Sequence, residues 1–117
     1  MSTRATHQMN PEMQECINAC LDCHSVCLQT VAHCLQKGGR HAEASHIGLL
    51  LDCAEICQTS ANFMLRGSHL HTRTCDVCAE VCEMCATGCE QFGDDEMMTA
   101  CAEACRRCAE SCRRMAA

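Results

Sequence analysis

Sulfur dominates the residues here that can do chemistry: 16 cysteines and 8 methionines in 117 residues. Thiolate and thioether are soft donors and select soft ions. The run CDVCAEVCEMCATGC (75–89) has its cysteines 3, 4, 3 and 4 apart. That alternation is the period of one helix face. At about 100° per residue, Cys75, Cys78, Cys82, Cys85 and Cys89 fall within an arc of about 80°. Three other segments repeat the pattern. Cys16, Cys20, Cys23, Cys27 and Cys34 share an arc of about 60°, as do Cys101, Cys105, Cys108 and Cys112. Cys53 and Cys57 also share a face, and no cysteine lies off these stripes.

Four chemistries could use such rows. Disulfides along a helix fail on distance: i,i+3 and i,i+4 Cβ atoms lie about 5–6 Å apart, and a disulfide needs about 3.5–4.5 Å. Iron–sulfur clusters gather four cysteines on one point, usually from a loop. Zinc prefers discrete tetrahedral sets. A regular 3-4 ladder suits neither well, but an iron–sulfur or zinc-binding structural or redox module remains the alternative. Copper(I) fits better. Two sulfurs on one ion lie within about 4.6 Å if the bonds are near 2.3 Å, so CxxC and CxxxC pairs can lean together and clamp it. A dry core of bare thiolates would be prohibitively costly, so the empty core should hold neutral thiols. Each copper(I) then displaces protons and brings one positive charge, which suits the filling of a store rather than the building of a catalytic centre.

The elements that must carry these stripes are helices. Ala, Glu, Gln, Arg and Leu fill the intervals and favour helix, and Trp and Tyr are absent. Asn10-Pro11 reads as a cap and first helical residue. KGGR (37–40), Gly67 and Gly93 break the chain, and Asp94 or Asp95 caps the last segment. The prediction is an all-α, single-domain, antiparallel four-helix bundle with a cysteine-lined core and helices over about 11–37, 41–66, 72–92 and 95–115. Leu21, Leu28 and Leu35, and Leu49, Ile56 and Phe63, recur every seven residues beside the sulfur; they either seal the flanks or meet another protomer. The formal charge of −6 and the lack of a basic stripe exclude nucleic acid. The pairs Arg106–Arg107 and Arg113–Arg114 read as a solvated face. No apolar run is long enough to cross a membrane. The N-terminal residues carry neither an apolar stretch nor twin arginines, so the expectation is a cytosolic protein.

The two bundle ends differ. Met9, Met13, Met64, His71 and Met115 extend the stripes at one end, within about 60°, as core fillers or as a mouth of exchangeable ligands for copper(I); His69, in the turn, could join them. The other end has His46, Leu50, Phe92 and Met98 and reads as more mixed and more apolar. His24, His33 and His41 fall off the stripes and are expected to face solvent.

These rows of CxxC and CxxxC steps, from Cys16 to Met115, resemble those of the bacterial copper storage proteins. The resemblance implies a four-helix bundle holding many copper(I) ions along its core through all sixteen cysteines. It also implies the cytosolic branch of the family and a homotetramer, without enzymatic activity. Helix 2 departs from the pattern with two cysteines; Ser60 lies on its stripe and is a poor copper ligand.

Overall fold

The structure, a computed structural model, describes residues 10–117. It contains four α-helices: α1 (Pro11–Lys37), α2 (Ala44–Leu65), α3 (His71–Glu90) and α4 (Glu96–Ala116). The all-α antiparallel bundle holds, with α1 packed on α2 and α4, and α3 on the same two. The backbones of diagonal helices do not approach closely; across the α2–α4 diagonal the core sulfurs make the contact, with Cys57 and Cys108 3.7 Å apart.

Capping explains the boundaries. The Asn10 side chain accepts from Met13 N at 2.7 Å, with Pro11 at the first helical position; both groups suit a helix start. The α2 C-terminus closes on Gly67 (φ +74), with Ser68 N to Phe63 O at 3.0 Å and Gly67 N to Met64 O at 3.1 Å. That double bond pattern is a Schellman stop, and its positive φ favours glycine. Asp95 Oδ1 caps α4 by accepting from Met97 N at 3.0 Å and Met98 N at 3.4 Å.

Two expected boundaries move. The second helix begins at Ala44, not at 41, because Gly38 and Gly39 take positive φ and the next residues form a separate 3-10 turn, Gly39–Ala42. The third ends at Glu90, which leaves Gln91 and Phe92 in the connection.

Small residues bring the helices close. Ala54 and Ala61 on α2, Ala79 and Ala86 on α3, and Ala102 and Ala109 on α4 are all buried, spaced by seven. Arginines tie α4 to its neighbours from outside: Arg113 to Glu83 at 2.6 Å, Arg106 to Glu90 at 2.8 Å and Arg114 to Glu15 at 3.2 Å. Half-exposed pairs of this kind contribute little each, about 0–1 kcal/mol. The expected solvated face is therefore also a paired one.

Candidate metal centre

Every one of the sixteen cysteines is a free thiol, exposed by 1 % or less. α1 and α4 supply Cys16–Cys112 at 3.7 Å, Cys20–Cys112 at 3.6 Å and Cys20–Cys108 at 3.6 Å. From Cys108 the sulfurs continue to Cys57 at 3.7 Å, to Cys82 at 3.7 Å and to Cys53 at 3.6 Å. Cys53 meets Cys23 at 3.9 Å, Cys23 meets Cys105 at 3.7 Å, and Cys27 meets Cys101 at 3.9 Å. With Cys23 and Cys27 themselves 3.9 Å apart, contact between sulfurs is unbroken from Cys16 to Cys101.

These contacts resolve into quartets whose sulfurs all lie within 4.8 Å of one another. They include Cys20/Cys78/Cys108/Cys112, Cys57/Cys78/Cys82/Cys108, Cys23/Cys53/Cys57/Cys82, Cys23/Cys27/Cys53/Cys105 and Cys27/Cys85/Cys101/Cys105. The spacing suits ions bound at about 2.3 Å. The overlap matters more: Cys57, Cys23, Cys27 and Cys78 each belong to two of these quartets. Closed structural zinc sites use separate ligand sets, whereas shared sulfurs suit a low-charge soft ion that accepts bridging thiolates.

Burial in a dry core disfavours the bare thiolate. Burial, and then the Asp95 carboxylate, push the Cys34 thiol up to about 11. Cys57 is held far above the ordinary thiol value, first by hydrogen bonding with Cys108, then with Cys23, Cys53 and Cys78, and by burial. A proton must therefore leave for each thiolate that forms.

A sequence profile of the family described as copper storage protein matches residues 9–117. The chain belongs to the copper storage protein family. Among solved structures, Nmul_A1745 of Nitrosospira multiformis is 50% identical, with a TM-score of 0.87 over 92% of this chain and 97% of that one. The copper(I)-bound copper storage protein BsCsp3 is 38% identical, with a TM-score of 0.84 over 91% of this chain and 99% of its own. A cytosolic copper storage protein of Streptomyces lividans, solved with five coppers, is 28% identical, with a TM-score of 0.78 over 90% and 92%.

Within this family member the helices repeat one register. α3 reads Cys78-Ala79, Cys82, Cys85-Ala86, Cys89, and α4 reads Cys101-Ala102, Cys105, Cys108-Ala109, Cys112. α2 follows them step for step as Cys53-Ala54, Cys57, Ser60-Ala61, Met64, and α1 follows as Cys16-Ile17, Cys20, Cys23-His24, Cys27. Ser60 and Met64 thus hold two positions that cysteine holds in the other three helices. Aligning the helices on their Cys-Ala steps is the signal that reveals this. Cys34 and Cys75 lie beyond the repeat, one at each end of the bundle.

Of the expected mouth residues, Met64 is fully buried with its Sδ 4.0 Å from Cys75 Sγ, while Met13 and Met115 are half-buried against the core. His71 is half-buried and its Nδ1 donates to Ser68 O at 2.7 Å. Met9 lies outside the described residues. At the opposite end, expected to be more mixed and more apolar, Cys34 Sγ is 3.5 Å from His46 Nε2 and 3.6 Å from Met98 Sδ. Three kinds of soft or borderline donor meet there. The three off-stripe histidines are half-buried rather than solvent-facing. His24 Nδ1 donates to Ala54 O at 2.8 Å across α1 and α2. His33 and His41 both donate to Asp95 Oδ2, at 2.8 and 3.0 Å.

Proposed function

We propose that this protein stores copper(I) through its sixteen core cysteines as a single domain, without catalysing a reaction. The observation that carries this is the run of overlapping sulfur quartets, which gives the core capacity rather than one defined metal position. BsCsp3 is described as a copper(I)-bound copper storage protein, and the Streptomyces lividans protein has been solved with ten copper equivalents. Both support the same cargo here.

Loading proceeds by exchange at sulfur. An arriving copper(I) takes two or more neutral thiols, the protons leave, and neighbouring ions share thiolates along the axis. Charge brought by the ions offsets the thiolate charge, so the core stays near neutrality as it fills. The placement is cytosolic, supported by the description of the Streptomyces lividans relative. A homotetramer is supported by large apolar side chains that stay exposed on α1 and α2: Leu28 at 44%, Leu35 at 58% and Leu51 at 44%. Leu21, Leu49 and Ile56, by contrast, pack on the core and seal its flanks. The mouth is assigned to the Met13, Met64, His71 and Met115 end, where the Met64 thioether lies 4.0 Å from Cys75 and Met13 and Met115 pack against the core.

Anaerobic titration of the reduced protein with copper(I), against a competing chromophoric chelator, tests this. Well over four ions should bind tightly per chain. Saturation at one to four equivalents would overturn it.

A further inference from the structure

Ser60 is the buried polar side chain that the fold leaves without a partner. Among the described residues, its Oγ is the one buried side-chain nitrogen or oxygen that makes no hydrogen bond, although the residue is fully buried. Burying a hydroxyl unpaired is unfavourable, and an exception in a native core calls for a reason. A local remedy exists. Thr30, also fully buried and three residues beyond Cys27 on the α1 stripe, turns its hydroxyl back onto Val26 O at 2.7 Å. A helical serine can make the same bond to the carbonyl four residues earlier, yet Ser60 does not.

What surrounds Ser60 is set by register. It takes the position of Cys85 on α3, Cys108 on α4 and Cys23 on α1, so it faces the sulfur core. Cys57 precedes it by one turn on the same face, within reach of an i,i+3 pair. Cys57 belongs to two overlapping quartets, with Cys23, Cys53 and Cys82 and with Cys78, Cys82 and Cys108. A neutral thiol is a weak acceptor. A metal-bound thiolate carries charge, and hydrogen bonds to charged groups are roughly twice as strong as neutral ones.

From this we infer that Ser60 is a positioning residue for the copper-loaded state: its hydroxyl donates to a copper-bound thiolate of the Cys57 neighbourhood, a partner that exists only after loading. This rests on the storage reading and adds to it. The oxygen in the sulfur array is then not a lost ligand. It is a donor, unpaired in the empty core and paired in the full one, so it favours holding copper over being empty. Donors that hydrogen-bond to a metal's ligands tune how tightly those ligands hold it.

The experiment compares the parent, Ser60→Ala and Ser60→Cys after anaerobic loading with copper(I). It follows copper transfer to excess chromophoric chelator, with thermal melts of the empty proteins alongside. Ser60→Ala removes an unpaired hydroxyl, so its empty form should melt no lower than the parent. It should bind the same number of ions and release a fraction of them about tenfold faster. Ser60→Cys completes the array and should raise capacity above the parent's. Release from Ser60→Ala at the parent's rate overturns the proposal. Unchanged capacity in Ser60→Cys also overturns it, because position 60 would then lie out of reach of the ions. If Ser60→Ala fails to fold, the capacity of Ser60→Cys decides. If the parent itself saturates at one to four ions, the storage reading has failed and the role of Ser60 falls with it, an outcome distinct from normal capacity with unaltered release.

Discussion

His33 on α1 donates its Nε2 proton to Asp95 Oδ2 at 2.8 Å, while the other oxygen of the same carboxylate caps α4. His41, in the 3-10 turn, adds a second bond to Oδ2 at 3.0 Å. One side chain therefore fastens the turn and α1 to the start of α4, at the end where Cys34, His46 and Met98 meet.

Replacement of Asp95 by alanine should lower the stability of the empty protein by about 1–2 kcal/mol, the ordinary cost of losing such a cap. The bond from His33 is the main reason that the folded-state pKa of Asp95 lies well below the ordinary 3.8; His41 and the Met98 amide lower it further against the effect of burial. A depressed carboxylate pKa gives stability that is fully present above the unfolded value and is lost as pH falls below it. Thermal melts of parent and Asp95→Ala should thus differ at pH 6 and converge as the buffer is taken below about pH 4. A constant difference down to pH 2 would contradict the ionised-latch account.

Proton release should accompany loading. With Cys34 pushed up to about 11 and Cys57 held higher still, these thiols are neutral at pH 7. Adding copper(I) to a weakly buffered anaerobic solution should liberate about one proton per thiol engaged, and affinity should weaken as pH falls. An indicator dye reads the first and chelator competition at two pH values reads the second. Loading without acidification would mean that the thiolates pre-exist.

The empty protein should keep its helices. The capping groups on Asn10 and Asp95 do not depend on metal. Ile17, Leu50, Met64 and Met98 are fully or almost fully buried and anchor the core beside the sulfur. Far-ultraviolet circular dichroism should change little when copper is removed. Ile17→Ala, which creates a cavity, should cost the empty protein about 2–5 kcal/mol. An unfolded empty chain would assign the folding energy to the metal instead.

The sulfur stripes were legible because a 3-4 rhythm has one geometric meaning, and the caps at Asn10 and Asp95 because their chemistry is local. The partners of His33 and His41 were not: Asp95 lies 62 and 54 residues further on, and no local pattern carries such a pairing. The start of α2 was misplaced because a helix period continues to the eye across residues 41–43, while the positive φ values of Gly38 and Gly39 set the chain on a separate turn. The wheel places His46 and Met98 at one mixed end of the bundle but does not show that they converge on one cysteine. Only the antiparallel pairing of α1, α2 and α4 brings both onto Cys34.

The two ends can be compared directly. Met13 and Met115 are three residues from Cys16 and Cys112 in the sequence and Met64 Sδ is 4.0 Å from Cys75 Sγ, whereas Cys34, His46 and Met98 form a mixed donor set beside an open depression of about 500 Å³ lined by His33, His41 and Phe92. Met→Leu changes conserve volume and cost little stability, so a triple replacement at Met13, Met64 and Met115 removes ligands while leaving the core packed. A second variant, His46→Ala with Met98→Leu, strips the other end of two donors. Stopped-flow loading from a copper(I)-chelator complex should slow in the first variant and stay near the parent's rate in the second, with capacity little changed in both, because most of the thiols are untouched. Slowing confined to the His46→Ala/Met98→Leu variant would place the mouth at Cys34 and make the thioethers of Met13, Met64 and Met115 core fillers.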